Sequence, residues 1–264
     1  SPSYAIFFKK SQGAKETEET VRYLVYRVFS LTCNIFLQAA TNLIKITYKM
    51  SEHMNLTIAE KFLLLILKSD QPTYHVSEMQ RNAGIIAGIL LDLSTQEHIA
   101  FRDKKIQVLN PITRLSPIHQ EVLERIAASS KERKLTSWFY KLHQQVKSYR
   151  FGLLERLESK GLVRIEQKKA LFIKYRNAYL TKGHEQRQQL QNLKQAVNQR
   201  YPEDESLESL LILVFMGQMY KLLTKERSQI KEMRRTLKDR YAHHELGKAL
   251  EQSYKNLVAA ASAG

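Results

Sequence analysis

Closely spaced basic residues are the clearest candidates for binding chemistry in this sequence. Lys147 and Arg150 lie three residues apart in a predicted helix, so both side chains project from one face and can hold a single phosphate from two sides. A second group of cations lies near the end of the chain and comprises Arg227, Lys231, Arg234, Arg235, Lys238 and Arg240. A solvated protein surface is the ordinary explanation for any one such group, so each needs support from the structure.

The overall charge of the chain points in the same direction. The 264 residues include 42 Lys and Arg against 26 Asp and Glu, which gives a formal net charge of +16. This excess predicts attraction to a polyanion, which would be nucleic acid, an anionic membrane surface or an acidic protein. The single cysteine, Cys33, excludes a disulfide scaffold and a structural zinc cluster.

Residue patterns typical of catalysis or cofactor binding do not occur in the sequence. The nine glycines form neither of the common phosphate-binding loops, and there is no G-x-S-x-G motif. The eight histidines include no H-E-x-x-H motif, and His243 and His244 are adjacent, so on a helix they point about 100° apart and cannot share a metal. We therefore predict a non-enzymatic protein with no cofactor and no metal site.

A mostly helical framework must position the basic residues. Thr57 and Glu60 form a capping-box pattern ahead of a strongly apolar run, and Pro117 suits the first turn of another helix. A long helix is expected to end at Gly161, with one break near residues 148–152. Apart from the helices that begin near Thr57 and Pro117, the predicted helices cover residues 76–93, 135–160, 183–199, 204–223, 225–240 and 244–260.

Two short β-hairpins interrupt the helices. The first is predicted to pair residues 99–101 with 106–109, and the second to pair residues 162–166 with 171–175 around a turn at Gln167, Lys168 and Lys169. The predicted fold class is therefore mostly α, as a single helical-bundle domain with two short β-hairpins over residues 54–264. Residues 1–53 form an N-terminal extension with an uncertain helix, and the sequence leaves open whether they belong to the working protein.

The longest uncharged stretch, residues 28–44, decides whether a membrane span is expected. It contains six polar residues and is near the lower length limit for a span, so an amphipathic helix is the better interpretation. No secretory signal pattern is evident. We therefore predict a cytoplasmic protein.

Several of these segments together resemble the Golgi phosphoprotein 3 family. The resemblance extends over about residues 55–180, and the following motifs carry it: Leu56-Thr57-x-x-Glu60 with its apolar run, GIIAGILLDL at 84–93, VLERI at 122–126, Lys134-Leu135-x-x-Trp138, and LLERLESKGLV at 153–163. It implies a helical peripheral membrane protein on the cytosolic face of a membrane. Eukaryotic members bind phosphatidylinositol 4-phosphate and retain glycosyltransferases as protein clients.

The lipid pocket of the family transfers to this chain only in part. Two arginines of that pocket align with Lys147 and Arg150, so the resemblance implies that these two residues bind the headgroup. A tryptophan and an arginine of the pocket align with Ser77 and Ile86, and lysine at position 147 gives up bidentate geometry. We therefore expect binding of anionic phospholipid in general rather than strict recognition of the 4-phosphate, and the drifted pocket favours a bacterial source.

The apolar hairpin tip of the family aligns with a segment flanked by lysines. The segment comprises Ala170, Leu171, Phe172 and Ile173, and its flanks are Lys168, Lys169 and Lys174. Such a tip could insert into a membrane or bridge the protomers of a homo-oligomer. Packing of the hairpin on the protein body is an equal alternative.

Nucleic-acid binding is the main alternative function. Helices followed by a basic hairpin occur in this order in winged-helix DNA-binding proteins. The helix before Gly161 lacks an evident set of Arg, Asn or Gln side chains that would read bases. Because charge alone does not separate DNA from anionic lipid, this alternative stays open, as does a pure protein-interaction scaffold.

Overall fold

A computed structural model describes most of the chain after residue 55. The described residues are 56–111, 115–170, 173–199, 202, 204–241 and 245–262. The expected N-terminal extension at residues 1–53, with its amphipathic segment and Cys33, lies outside the described residues, and so do Leu171 and Phe172.

Within this described part, the chain forms nine α-helices and two antiparallel two-stranded sheets. The helices are α1 (Ile58–Ile66), α2 (Glu78–Thr95), α3 (Pro117–Ala127), α4 (Leu135–His143), α5 (Val146–Ser159), α6 (Gly183–Asn198), α7 (Glu205–Met216), α8 (Arg227–Tyr241) and α9 (Glu245–Ser262). The strands are β1 (Ile99–Arg102), β2 (Lys105–Val108), β3 (Val163–Ala170) and β4 (Ile173–Leu180), and a short 3₁₀ helix covers Tyr220–Leu222. The predicted mostly α fold with two β-hairpins is confirmed.

Helix α1 is the centre of the core. It packs against α2, α5, α6 and α7, and eight of its nine residues are buried. The predicted capping box is confirmed, because the Thr57 hydroxyl accepts a hydrogen bond from the Glu60 backbone N–H at 3.2 Å and the Glu60 carboxylate accepts one from the Thr57 N–H at 3.0 Å. Gly88 of α2 lets the two helices approach closely, since a Cβ atom there would meet the Ala59 Cα at 2.9 Å.

The predicted break in the long helix at residues 148–152 is wrong. The break lies at Gln144 and Gln145, between α4 and α5. Residues 148–152 stay helical because Tyr149 is buried in the core and Gly152 makes room for Ile118, whose Cδ1 would lie 2.8 Å from a Cβ at that position. The glycine therefore serves close packing within a helix rather than a helix end.

The second hairpin is longer than the sequence suggested. Its register runs from Val163 paired with Leu180 to Ala170 paired with Ile173, so the predicted turn at residues 167–169 is wrong and Lys168 and Lys169 lie within β3. Residues near the base, such as Val163, are buried, whereas residues 167–169 are exposed. The two lysines therefore lie in an exposed part of the strand. A run of charged residues is compatible with an exposed strand as well as with a turn. At about 3.4 Å per residue, β3 extends roughly 24 Å.

A buried carboxylate fixes α5 to α1. Glu60 is fully buried, and its two oxygens accept hydrogen bonds at 2.6 Å from Arg156 Nε and from Lys160 Nζ. Burial raises the pKa of Glu60, but Lys160, the Thr57 N–H and Arg156 together lower it below its ordinary value. The end of α5 is thus held in place by charge, and the beginning of the same helix carries Lys147 and Arg150.

Candidate functional site

Lys147 and Arg150 lie near the beginning of α5, on the side away from the core. Lys147 is exposed and Arg150 is half-buried, with its guanidinium carbon 5.1 Å from the centre of the Phe151 ring. The opposite side of α5 buries Tyr149 and Leu153. Among the described residues, neither Lys147 nor Arg150 forms an ion pair with a carboxylate. Both charges are therefore available to an anion in solution.

The beginning of α5 adds to this attraction. Gln145 precedes the helix without a side-chain capping hydrogen bond, and the first turn contains no acidic residue. A cation near a helix N-terminus opposes the helix dipole at a cost of about 0.3–1 kcal/mol. An anion at the same place is favoured by the dipole, by the free backbone N–H groups and by the two cations together. The placement of Lys147 and Arg150 near this helix beginning is unfavourable without a ligand and becomes favourable when an anion is bound.

Tyr74 and Arg81 contribute to the same surface from α2 and the segment before it. The Arg81 guanidinium carbon lies 4.7 Å from the centre of the Tyr74 ring, and its Nη2 lies 3.1 Å from Glu78 Oε1. Burial and then the nearby Arg150 lower the pKa of Arg81. Burial raises the pKa of Tyr74, and the charges of Arg150 and Arg81 oppose that rise. Helix α2 packs against α5, and the charge of Arg150 acts on both Tyr74 and Arg81, so the three side chains belong to one surface. We call Tyr74, Arg81, Lys147 and Arg150 the cation cluster.

Phe151 connects the cation cluster to the second hairpin. Arg176 of β4 places its guanidinium carbon 5.5 Å from the centre of the Phe151 ring, and Arg150 stacks on the same ring. Arg176 also forms an ion pair with Glu155 of α5 at 2.7 Å. The positive surface of α5 therefore continues onto the β4 strand.

The lysines of β3 are exposed but differ in their contacts. Lys168 lies 3.4 Å from Glu166 Oε2, and its Nζ donates to the Tyr179 hydroxyl at 3.3 Å, so these two groups raise the pKa of Lys168. Lys169 is exposed and forms no ion pair with a carboxylate in the described part of the chain. The backbone of Ile173 pairs with Ala170. An apolar function of the hairpin tip, including Leu171 and Phe172, stays a prediction.

Comparison with protein-family models gives a match over most of the described residues. The matching model is Golgi phosphoprotein 3 (GPP34), and it covers residues 58–258. The chain belongs to the Golgi phosphoprotein 3 family. A comparison with curated proteins found no match. Membership in the Golgi phosphoprotein 3 family is consistent with a lipid-binding or Golgi-associated role.

Ser77 and Ile86, the two positions where the resemblance predicted a departure from the family's lipid pocket, have structural roles in this chain. Ser77 caps α2, where its hydroxyl accepts a hydrogen bond from the Gln80 N–H at 3.2 Å and its own N–H donates to Gln80 Oε1 at 3.0 Å. Ile86 is 1% exposed and lies in the core. Arg81 lies between them and is the one arginine of α2, which is the sequence signal that could have identified it.

Three polar residues that no sequence motif indicated, two of them buried, also form a hydrogen-bonded series. Ser116 Oγ lies 2.6 Å from His119 Nδ1, and His119 Nε2 lies 2.9 Å from Asp92 Oδ2. The order resembles a catalytic triad, but Asp92 also accepts the backbone N–H groups of Ile58 and Ala59 at 2.6 and 3.1 Å. His119 and Asp92 are also each only 2% exposed. These hydrogen bonds have a structural role: they join the beginnings of α1 and α3 to the end of α2.

No helix in the described part of the chain is both long enough and apolar enough to cross a bilayer. No group of three or more His, Cys, Asp or Glu side chains there could hold a metal ion.

Proposed function

We propose that this chain is a peripheral membrane protein that binds anionic phospholipid on the cytosolic face of a membrane through the cation cluster. The observation that supports the proposal is that Arg81 stacks on the Tyr74 ring at 4.7 Å while Arg150, on the neighbouring helix α5, is near enough for its charge to act on both groups. Two like charges in proximity destabilise one another, and Arg150 has no carboxylate partner among the described residues. A bound phosphate group would relieve this repulsion.

The expected strength of a single contact is modest. A Lys or Arg held near an anionic membrane surface contributes about 1 kcal/mol, so Lys147 and Arg150 would together contribute roughly 2 kcal/mol, while Arg81 is 11% exposed and already paired with Glu78. Stable attachment therefore needs a second contact. The second hairpin is the proposed one, because it extends from the body of the protein beside Phe151 and carries Arg176 and exposed lysines.

The cation cluster also bears on which lipid is preferred. A phosphomonoester carries more charge and more acceptor oxygens than the phosphodiester of phosphatidylserine. Arg81 supplies, from α2, a cation that the sequence at Ile86 does not provide. We therefore propose that the cluster binds phosphatidylinositol 4-phosphate more tightly than phosphatidylserine when both membranes carry the same surface charge.

We also propose that the protein forms a homo-oligomer through the second hairpin and that it binds a protein client at the membrane. If the hairpin bridges protomers, several cation clusters would face one membrane, and their combined affinity would exceed that of one cluster without a new type of contact. Sedimentation equilibrium of the purified chain would detect the oligomer. A strictly monomeric protein would leave the hairpin as a membrane contact only.

Vesicle co-sedimentation tests the proposed function. The purified chain is mixed with neutral phosphatidylcholine vesicles, with vesicles containing phosphatidylserine, and with vesicles containing phosphatidylinositol 4-phosphate at matched surface charge. We expect no binding to the first, binding to the second and the strongest binding to the third. The variant Lys147→Glu, Arg150→Glu should lose binding to both anionic membranes.

A matched control separates the cation cluster from general charge. The variant Arg187→Glu, Lys194→Glu changes the net charge by the same amount on exposed positions of α6 and should bind like the wild type. Equal loss in both variants would contradict a site at the cation cluster. If no vesicle binds and duplex DNA binds with a strong salt dependence, the nucleic-acid alternative would replace the lipid proposal.

A further inference from the structure

A large groove lies between α8, α9 and the 3₁₀ helix, on elements that carry no residue of the cation cluster. Its volume is about 820 Å³. The rings of Phe215 and Tyr220, both largely buried, contribute apolar walls to the groove. Burial raises the pKa of Tyr220 to about 12, although the nearby Arg234 opposes this rise. Tyr220 therefore stays neutral at physiological pH, beside a cation of the groove wall.

Four cations form a stripe along the α8 side of this groove. Lys231, Arg234, Arg235 and Lys238 are spaced at i, i+3, i+4 and i+7, which places them on one face of the helix over about 10 Å. All four are exposed, and none forms an ion pair with a carboxylate in the described part of the chain. We call these four residues the α8 stripe.

The α8 stripe is unfavourable for the helix that carries it. Lys231 and Arg235 are four residues apart, as are Arg234 and Lys238, and like charges at this spacing destabilise a helix. Two carboxylates line the groove, Glu232 and Glu251, but Glu251 is already paired with Lys255 at 2.9 Å. The groove therefore keeps an excess of positive charge that its own residues do not neutralise.

The groove continues into a second one along α9. The second groove has a volume of about 640 Å³, shares Gln218, Tyr220 and Lys255 with the first, and extends past Tyr254 and Val258. Gln218 adopts φ of 52°, a left-handed backbone conformation that is uncommon outside glycine and occurs here where the two grooves meet. Together, at about 820 and 640 Å³, the two grooves exceed the volume of about 300–1,000 Å³ that is typical of a small-molecule site.

We infer that this groove binds an amphipathic helical segment of a partner protein, with apolar side chains in the groove and acidic side chains against the α8 stripe. Charge complementarity identifies the partner as acidic. The concave shape favours an inserted segment over a bilayer, because a flat membrane surface does not reach walls at the level of Phe215 and Tyr220. Leu or Phe side chains on one helix face, spaced by three or four residues, would fill such a groove between two helices.

Fluorescence anisotropy with a designed peptide tests this inference. The probe is a labelled 18-residue helical peptide with leucines at i, i+3, i+4 and i+7 and glutamates on the flanking positions. We expect saturable binding by the whole chain. In the variant Lys231→Glu, Arg235→Glu, affinity should fall at least about tenfold, as expected when charges that complement a ligand are reversed.

Two matched controls distinguish a groove from general attraction of opposite charges. The control variant Arg187→Glu, Lys194→Glu has the same net charge as Lys231→Glu, Arg235→Glu and should keep the affinity of the wild type for the peptide. Ser228→Trp changes no charge but fills the groove beside the α8 stripe, so it should also weaken binding.

Changes in the peptide complete the test. A peptide with lysine in place of glutamate should not bind, and one with serine in place of leucine should bind at least about tenfold more weakly. The inference is overturned if the acidic peptide fails to bind the wild type, if Ser228→Trp has no effect, or if both charge-reversal variants lose affinity equally. The second groove is also lined by His75, Val76 and Gln80, next to the cation cluster, but the charge reversals of the two tests lie on different helices, α5 for lipid and α8 for the peptide, so failure of one proposal is distinguishable from failure of the other.

Discussion

Replacing the buried Glu60 by glutamine should strongly destabilise the fold. The substitution keeps the shape of the side chain and an oxygen that can accept the Thr57 N–H, but it removes the charge that pairs with Arg156 and Lys160. Lys160 has a side chain that is only 10% exposed, so it would be left nearly buried without its carboxylate. Breaking a buried ion pair from one side costs about 3–5 kcal/mol.

The solvent exposure of Arg156, the second partner of Glu60, reduces the expected loss of stability. The Arg156 side chain is 34% exposed and regains water when its partner is neutralised, so we expect a loss of about 3 kcal/mol rather than the upper limit. For a domain of this size, each kcal/mol lowers the melting temperature by about 2–4 °C, which gives a decrease of roughly 6–12 °C. Thermal and urea unfolding followed by circular dichroism would measure both quantities.

The pH dependence gives the same prediction a second readout. Because the pKa of Glu60 is lower in the folded protein than its ordinary value of 4.5, its charge stabilises the fold above about pH 4.5. This stabilisation is lost as the pH falls through the folded-state pKa. The free energy of unfolding of Glu60→Gln should therefore fall less steeply below pH 4.5 than that of the wild type.

A control variant makes the Glu60 prediction refutable. Glu155→Gln removes the carboxylate of an exposed ion pair with Arg176 and should change the free energy of unfolding by less than about 1 kcal/mol. If Glu60→Gln lowers the free energy of unfolding no more than Glu155→Gln does, the buried network does not hold α5 in place. The same conclusion follows if the pH profile of Glu60→Gln coincides with that of the wild type.

Three further changes test the packing around the site. Gly88→Ala should cost about 1–3 kcal/mol, because the added Cβ meets the backbone of Ala59 and the two helices must separate; a urea midpoint within error of the wild type would contradict this close approach. Gln186→Ala should cost about 1–3 kcal/mol in the same assay, because the Gln186 amide donates to the buried Leu64 and Leu67 carbonyls at 2.7 and 2.6 Å, and an unchanged stability would show that these carbonyls have other donors. Gly161→Ala should cost about 1 kcal/mol, because Gly161 has φ of 68°, a conformation that strains the backbone of other residues. No atom lies within 4 Å of a Cβ at this position, so there is no steric clash, and Gly161→Asn should lose less stability because asparagine tolerates this conformation.

The parts of the fold that depend on local sequence could be predicted. The Thr57–Glu60 capping box, Pro117 at a helix start and Gly161 at a helix end each need only neighbouring residues, and the structure confirms all of them. Strand length in the second hairpin was underestimated, since a run of charged residues near Lys168 is compatible with either an exposed strand or a turn.

The candidate site depends on contacts between distant residues, so only Lys147 and Arg150 could be predicted. Lys147 and Arg150 share a helix and follow from spacing alone. Arg81 and Tyr74 join them only because α2 packs against α5, which no local pattern indicates. The α8 stripe is the opposite case: its charges are evident from the sequence, but the groove beside them requires α9 and the 3₁₀ helix.

Hydrogen–deuterium exchange with and without vesicles containing phosphatidylinositol 4-phosphate is the most direct test of the proposed lipid site. The cation cluster is built from two helix beginnings, so we predict that membrane binding slows exchange in peptides covering residues 74–82 and 145–151 together. Exchange in α8 should not change, because the α8 stripe is not part of the lipid site. Slower exchange confined to the hairpin or to α8, with both helix beginnings unchanged, would contradict the proposed lipid site.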